Sequence, residues 1–174
     1  FLGRMDASKG VDTLLQAASK LPKGRFELHL AGPGEPQQVQ ALIEQYGLTG
    51  QAQWHGVVRA ADFLAQQHVI VTPSRAHETF CNVVLEAACL GLPAIVSDRG
   101  ALPERVSGGR SGWIFPVGDA QALSTLMQQC IDRPALVHEK GLVALDCRER
   151  NRHDVEVNAW DALCHQTCDQ IKRP

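Results

Sequence analysis

Two acids, Glu78 and Glu86, stand in the stretch HETFCNVVLEAACLG, His77 to Gly91, whose run from Phe80 to Leu90 is otherwise almost wholly apolar. An ionised side chain inside an apolar helix is costly unless a partner compensates it. Thr79 is a residue type that caps helices. A cap there leaves the amides of Phe80, Cys81 and Asn82 free at the positive end of the helix dipole, which is an anion site. Glu78, just ahead of the cap, is placed to accept hydrogen bonds from sugar hydroxyls. Glu86 comes one turn after Asn82 on the same side, opposite a core-facing stripe of Val83, Val84 and Ala87. A carboxylate there can hold two vicinal hydroxyls of a ribose, both oxygens accepting. The competing expectation is a structural acid paired with a neighbouring Arg or Lys.

A second group lies in GRMDASKG. Gly3 permits close backbone approach, Arg4 offers a planar fork and Lys9 a point charge, a pairing suited to a diphosphate. The alternative is a solvated loop with a helix start at Ser8. The glycine-rich AGPGEP, which contains Gly32, is not GxGxxG and has no ribose-binding acid about twenty residues on, so NAD is disfavoured. His77 abuts the site and is expected to be a partly exposed loop residue, while His29 and His55 fall in strand patterns. The six cysteines, at 81, 89, 130, 147, 164 and 168, match neither a disulfide framework nor a zinc site. Cys164 and Cys168 are four apart on an expected helix but lack partner ligands. Free thiols in a reducing cytoplasm are expected, with no metal and no cofactor.

Those residues need a scaffold, and the hydrophobic pattern supplies one. FLGR, RFELHLAG, AQWHGVV, HVIVTPS, LPAIVSD and SGWIFPVGD read as strands. Between them SKGVDTLLQAASKL, QQVQALIEQYG (closed by Gly47), RAADFLAQQ and the run from Phe80 to Leu90 read as helices. GALPERVSGG is a loop with one helical turn, and DAQALSTLMQQCI, RPALVHEKGLVALDCRER and VEVNAWDALCHQTCDQIK form a helical tail. The expected fold class is α/β: a Rossmann-like doubly wound parallel sheet with helices on both faces and a helical C-terminal tail. In such sheets ligands bind outside the carboxyl ends of the strands, here the loops after Leu2, Ala31, His55, Thr72 and Val96.

The 174 residues carry 44% apolar and 21% charged side chains and a net charge of −2, which gives no reason to expect a broad nucleic-acid or anionic-membrane surface. No apolar run approaches the ~20 residues a membrane span needs. The opening FLGRMD shows neither an initiator Met nor a signal peptide and reads as starting inside a strand, so half of a larger enzyme is expected.

In order along the chain, GRMDASKGVDTLLQAA, LAGPGE, HGVV, VTPSRAHETFCNVVLEAACLGLPAIVSDRGALPERV and SGWIFPVGDAQAL resemble the C-terminal half of the retaining group 1 glycosyltransferases, nucleotide-sugar enzymes of GT-B architecture. The resemblance covers roughly residues 1 to 130, with Trp160 in the tail where many members carry a tryptophan. Glu78 and Glu86 match that family's E-x7-E motif. The resemblance implies that Arg4 and Lys9 hold the donor diphosphate, Glu78 orients the transferred sugar and Glu86 binds the nucleoside ribose. It also implies that backbone from Phe80, Cys81, Asn82 and Val83 cradles phosphate and sugar, that Val57 and Val58 contact the base, and that Gly3 and Gly32 line the floor. Cys81 departs from the glycine many members have, which narrows the sugar pocket.

For residues 1–174 as a whole, the resemblance implies the C-terminal nucleotide-sugar-binding domain of a two-domain enzyme whose acceptor domain is absent. The donor is a UDP-, GDP- or ADP-sugar and the acceptor a glycan, lipid or small molecule. Transfer is metal-independent, cytoplasmic, with peripheral association at the inner face of the cell membrane left open. A nucleotide-sugar epimerase or a non-catalytic nucleotide-binding module is the alternative.

Overall fold

The computed structural model describes residues 1–150. Its strands are β1 (Leu28–Leu30), β2 (Ala52–Trp54), β3 (Ile70–Thr72), β4 (Ala94–Ser97) and β5 (Gly112–Phe115). Its helices are α1 (Val11–Ala18), α2 (Pro36–Gln45), α3 (Ala60–Leu64), α4 (Asn82–Cys89), α5 (Leu102–Arg105), α6 (Ala120–Asp132) and α7 (Pro134–Arg150). All ladders are parallel. Leu28 faces Ala52, and Ile70 faces Ala94, which faces Gly112 in turn.

Hydrogen bonding divides the strands into a β1–β2 pair and a β3–β4–β5 trio rather than one continuous sheet. The segment beside β1 makes a single parallel bridge, Leu2 to Ala31, and no ladder. The two pieces nevertheless act as one layer. Strand side chains alternate between faces, and Leu28, Leu30, Val71, Ile95, Trp113 and Phe115 share a cluster with Leu14 and Leu15 of α1, Ile43 of α2 and Leu123 of α6. On the opposite face Ala31, Ile70, Ala94 and Val96 pack with Phe63 and Leu64 of α3, Val84 and Ala87 of α4, and Leu102 of α5. Helices therefore cover both faces, as a doubly wound fold requires. Each fully buried leucine in these clusters contributes roughly 1.5–3 kcal/mol relative to exposure.

Chain direction explains where a ligand belongs. From Leu2 the strands step to β1 and β2 one way, and from β3 to β4 and β5 the other. The loops after Leu2 and after β3 meet at this reversal. The Ser8 carbonyl accepts from the amides of Arg75, at 2.8 Å, and Ala76, at 3.1 Å. Gly10 lies so close to the Pro73 carbonyl that a Cβ would come within 2.0 Å of its oxygen. Such a switch point is the usual ligand crevice of open α/β sheets.

Ser8 does not start α1. The Asp6 carboxylate accepts from the amides of Ser8, at 2.9 Å, and Lys9, at 3.2 Å, closing a 3-10 turn over Ala7–Lys9. Gly10, with φ of 71°, then redirects the chain into α1. Asp takes the capping role because its carboxylate accepts two bonds where Ser offers a hydroxyl. The expected last helix, with Trp160, Cys164 and Cys168, lies outside the described residues. Among the described residues no helix is long and apolar enough to cross a membrane.

Candidate functional site

Lys9 and Glu78, 69 residues apart in sequence, meet at the switch point: Lys9 Nζ donates to Glu78 Oε1 at 2.6 Å. The Ser74 hydroxyl donates to the same carboxylate oxygen, and the Ser97 hydroxyl at the end of β4 fixes the Ser74 carbonyl at 2.6 Å. Burial pushes the Glu78 carboxyl up. The hydrogen bonds from Lys9 and Ser74, with the charges of Lys9 and Arg4, outweigh that and hold it below its ordinary value. Arg4 is exposed and leans on Asp6, with Nε 3.2 Å from Oδ2, and reaches toward the Ser8 hydroxyl at 3.4 Å. In the free protein both expected diphosphate cations are thus matched by a carboxylate.

The floor is assembled from backbone. The Gly3 amide donates to the Ala31 carbonyl at 2.9 Å and the Gly32 amide to the Gly56 carbonyl at 2.7 Å. A Cβ on Gly32, whose φ is 126°, would stand 2.0 Å from the Gly3 carbonyl oxygen, so only glycine fits. These contacts set the Val57–Val58 loop beside Gly3 and Gly32. Val57 is 77% exposed and Val58 half-buried.

Thr79 does not cap α4. The cap position is Cys81, in the left-handed region with φ 54° and ψ 70°, and it makes no side-chain cap bond. Ala101 donates its amide to the Glu78 carbonyl at 2.8 Å, and Gly100 packs so tightly there that a Cβ would sit 2.2 Å from that oxygen. This anchors residue 78 against the loop before α5, and the chain must turn sharply before a helix can start at Asn82. Among the described residues the amides of Phe80, Cys81, Asn82 and Val83 have no acceptor. The open amides expected from the sequence are present, about two residues later than Thr79 would have put them. Burial, chiefly, pushes the Cys81 thiol up to about 11, so it stays protonated at neutral pH.

Glu86 is not buried. It lies on the exposed side of α4 with Asn82, opposite the buried Val84, Ala87 and Ala88, and has no ion-pair partner among the described residues. The premise of a buried acid fails, and the expected structural ion pair is not found among the described residues. Phe80 and Leu90, 45% and 44% exposed, belong to the open side as well, which is why the run resembles a helix interior. The structure brings Gly3, Arg4, Lys9, Gly32 and Glu78 together with the Phe80–Val83 turn. Among the described residues no side-chain hydrogen bond or ion pair joins Glu86 to that cluster, and Val57 stays largely exposed beside it.

The family profile for Glycosyl transferases group 1 matches residues 1–133. This chain belongs to that family. It is 29% identical to the D-inositol 3-phosphate glycosyltransferase of Streptomyces avermitilis over 97% of this chain and 38% of that protein. It is 31% identical to the GDP-mannose-dependent alpha-mannosyltransferase of Mycobacterium tuberculosis over 95% of this chain and 40% of that protein. In structure it is similar to Anabaena HepE in complex with UDP-glucose, with a TM-score of 0.83 at 22% identity, over 95% of this chain and 47% of that one. The group 1 chain thus spans less than half the length of these relatives.

Within this group 1 chain, reading the sequence misses three residues. Ser74 is fully buried and ties Glu78 to both neighbouring loops, but serine after a strand carries no special signal. Asp6 orders Lys9, and its D-x-S-K spacing is a local capping cue that is legible in the residues. Arg105, 4.0 Å from the Phe80 ring centroid, depends on a fold-level meeting of α5 with the 78–81 turn.

Proposed function

We propose that this chain is the nucleotide-sugar-binding domain of a retaining glycosyltransferase, which completes transfer with an acceptor-binding domain outside it. The supporting observation is the Lys9–Glu78 contact beside Arg4 at the switch point, facing a helix start with open amides. In this reading the donor diphosphate draws Lys9 and Arg4 away from Glu78 and Asp6 and also takes the amides at Asn82 and Val83. Glu78, relieved of its cation, accepts from hydroxyls of the transferred sugar. Glu86 and the Val57–Val58 backbone reach ribose and base from the open sides. An exposed Glu86 suits that role, since its carboxylate is open to a ligand.

The reaction breaks the bond between the sugar's anomeric carbon and the diphosphate oxygen. The acceptor hydroxyl oxygen bonds to the same face of that carbon, and its proton passes to the departing diphosphate. Lys9 and Arg4 neutralise the charge that grows on that leaving group. Positioning and electrostatic stabilisation then supply most of the catalysis, and no metal or further cofactor is invoked. The site of action is placed in the cytoplasm. Relatives using different donors, GDP-mannose in one name and UDP-glucose in one complex, keep the nucleotide open.

A thermal-shift panel of UDP, GDP and ADP and their hexoses tests this. One nucleoside diphosphate should raise the melting temperature, with stabilisation growing as RT ln(1 + [L]/Kd), about 2.7 kcal/mol at a hundredfold excess. No shift with any nucleotide would contradict it, as would acceptor-dependent sugar transfer by this chain alone.

A further inference from the structure

Arg105 ends the four-residue helix α5, where its guanidinium carbon stands 4.0 Å over the Phe80 ring centroid. It is also close enough to the Cys81 thiol for its charge to be felt there, together with those of Glu78 and Lys9. Arg4, Lys9 and Arg75, the cations of the crevice's other wall, are each matched by an acid: Asp6, Glu78 and Asp12 in turn. Arg105 has no carboxylate and no hydrogen-bond acceptor among the described residues, and its Nε is shut away from solvent. Arg99, at the other end of the same short segment, has a sealed and unpartnered Nε as well. A buried donor left without an acceptor is a cost that native proteins rarely carry without a reason, and no carboxylate among the described residues matches the guanidinium's charge. Aromatic stacking holds the planar fork in place, so a ligand meets it already oriented.

Resting on the donor-site reading above, we infer that Arg105 is a specificity-determining residue that binds an oxyanion of the ligand, a phosphate or a carboxylate, at the Phe80–Cys81 rim. Two sources present that chemistry there: the donor diphosphate, and a carboxylate carried by the transferred sugar. Arg105 stands beside Phe80 and Cys81, at the turn assigned to phosphate and sugar, while Arg4 and Lys9 on the other wall are already assigned to the diphosphate. That placement favours a sugar carboxylate, as in a hexuronic acid.

Calorimetric titration of the 174-residue chain and of Arg105→Gln and Arg105→Lys tests it. The probes are inorganic pyrophosphate, UDP-glucose against UDP-glucuronate, and GDP-mannose against GDP-mannuronate. The wild-type chain should bind the uronate of one pair at least tenfold tighter than the hexose. Arg105→Gln should abolish that preference and leave hexose binding unchanged, and Arg105→Lys, which keeps charge but not the fork, should retain part of it. An equal loss for pyrophosphate and for both sugars of a pair assigns Arg105 to the diphosphate, which overturns its role in specificity. Equal affinities for every probe in wild type and Arg105→Gln would overturn the inference while leaving the donor site standing. Binding of pyrophosphate that depends on Arg105 but no binding of any nucleotide would overturn the donor-site reading instead. Unfolding curves without ligand confirm that the variants are folded, and Phe80→Leu, which removes the stack but not the charge, should weaken the preference if either Arg105 variant is unstable.

Discussion

The two walls of the crevice are built on opposite plans. On one side the Gly3–Gly10 loop and the Pro73–Glu78 loop are bound together by the Ser8 carbonyl, the Ser74 hydroxyl, the glycine at 10 and the Lys9–Glu78 pair. Its cations Arg4, Lys9 and Arg75 are each paired with an acid: Asp6, Glu78 and, from α1, Asp12. On the other side the Phe80–Glu86 segment has open amides, an exposed acid, an exposed phenylalanine and a strained residue at its turn. The first wall is complete before a ligand arrives, and the second has groups waiting for one. A site divided in this way can keep its geometry with little help from the ligand and still gain much of its binding energy from groups left unsatisfied.

Substitutions in the two walls should therefore fail differently. The largest effect is expected at the seam. Gly10→Ala meets the Pro73 carbonyl and forces a left-handed residue, at a cost of about 3 kcal/mol, read as a lower urea midpoint. A cost below about 1 kcal/mol would show that the first wall is less rigid than its contacts imply. Next, Lys9→Ala in a full-length enzyme should lower the rate by about 10²–10³, by analogy with loss of one oxyanion donor. In this chain the change costs roughly 1 kcal/mol of stability, because the pair is partly exposed to solvent. On the open wall, Glu86→Ala should weaken nucleotide binding about tenfold. It should move stability by no more than about 0.5 kcal/mol, as befits an exposed residue with no ion pair among the described residues. A large stability change there would mean that Glu86 has a structural role.

Cys81→Gly sharpens the contrast from the other direction. Cβ strain in the left-handed region costs roughly 1–2 kcal/mol, part of which glycine's greater unfolded freedom takes back. The variant should be stabilised by about 0.5–1 kcal/mol, a rise of a few degrees in melting temperature. Smallest is the pH response. Glu78 is held below its ordinary value when folded, so its contribution to stability is complete above the unfolded value of about 4.3 and is lost as pH falls through the lower folded value. Glu78→Gln should remove that acid-side step from the stability–pH curve, and an unchanged curve would refute the coupling.

Much of this is legible in the residues. Period-two and helical patterns place the strands and helices, and the types and spacing of Gly3, Arg4, Lys9 and Glu78 mark them out without knowledge of their meeting at the switch point. The failures are local and physical. Thr79 has the chemistry of a cap, but the Ala101–Glu78 contact that displaces the helix start comes from more than twenty residues away. Glu86 has apolar neighbours such as Leu90 that resemble core, yet α4 buries only a narrow stripe. Ser74 and Arg105 each act through a partner that only the folded chain brings near, so neither leaves a local signal.

The most direct test of the central claim is calorimetric titration of the nucleoside diphosphate that binds best into the wild-type chain, Lys9→Ala and Glu86→Ala. If diphosphate and ribose occupy this crevice, both variants bind at least tenfold more weakly, and the Lys9→Ala deficit shrinks as salt is raised because it is a loss of charge. Wild-type affinity in both variants, at low and high salt alike, would contradict the account and place the nucleotide elsewhere.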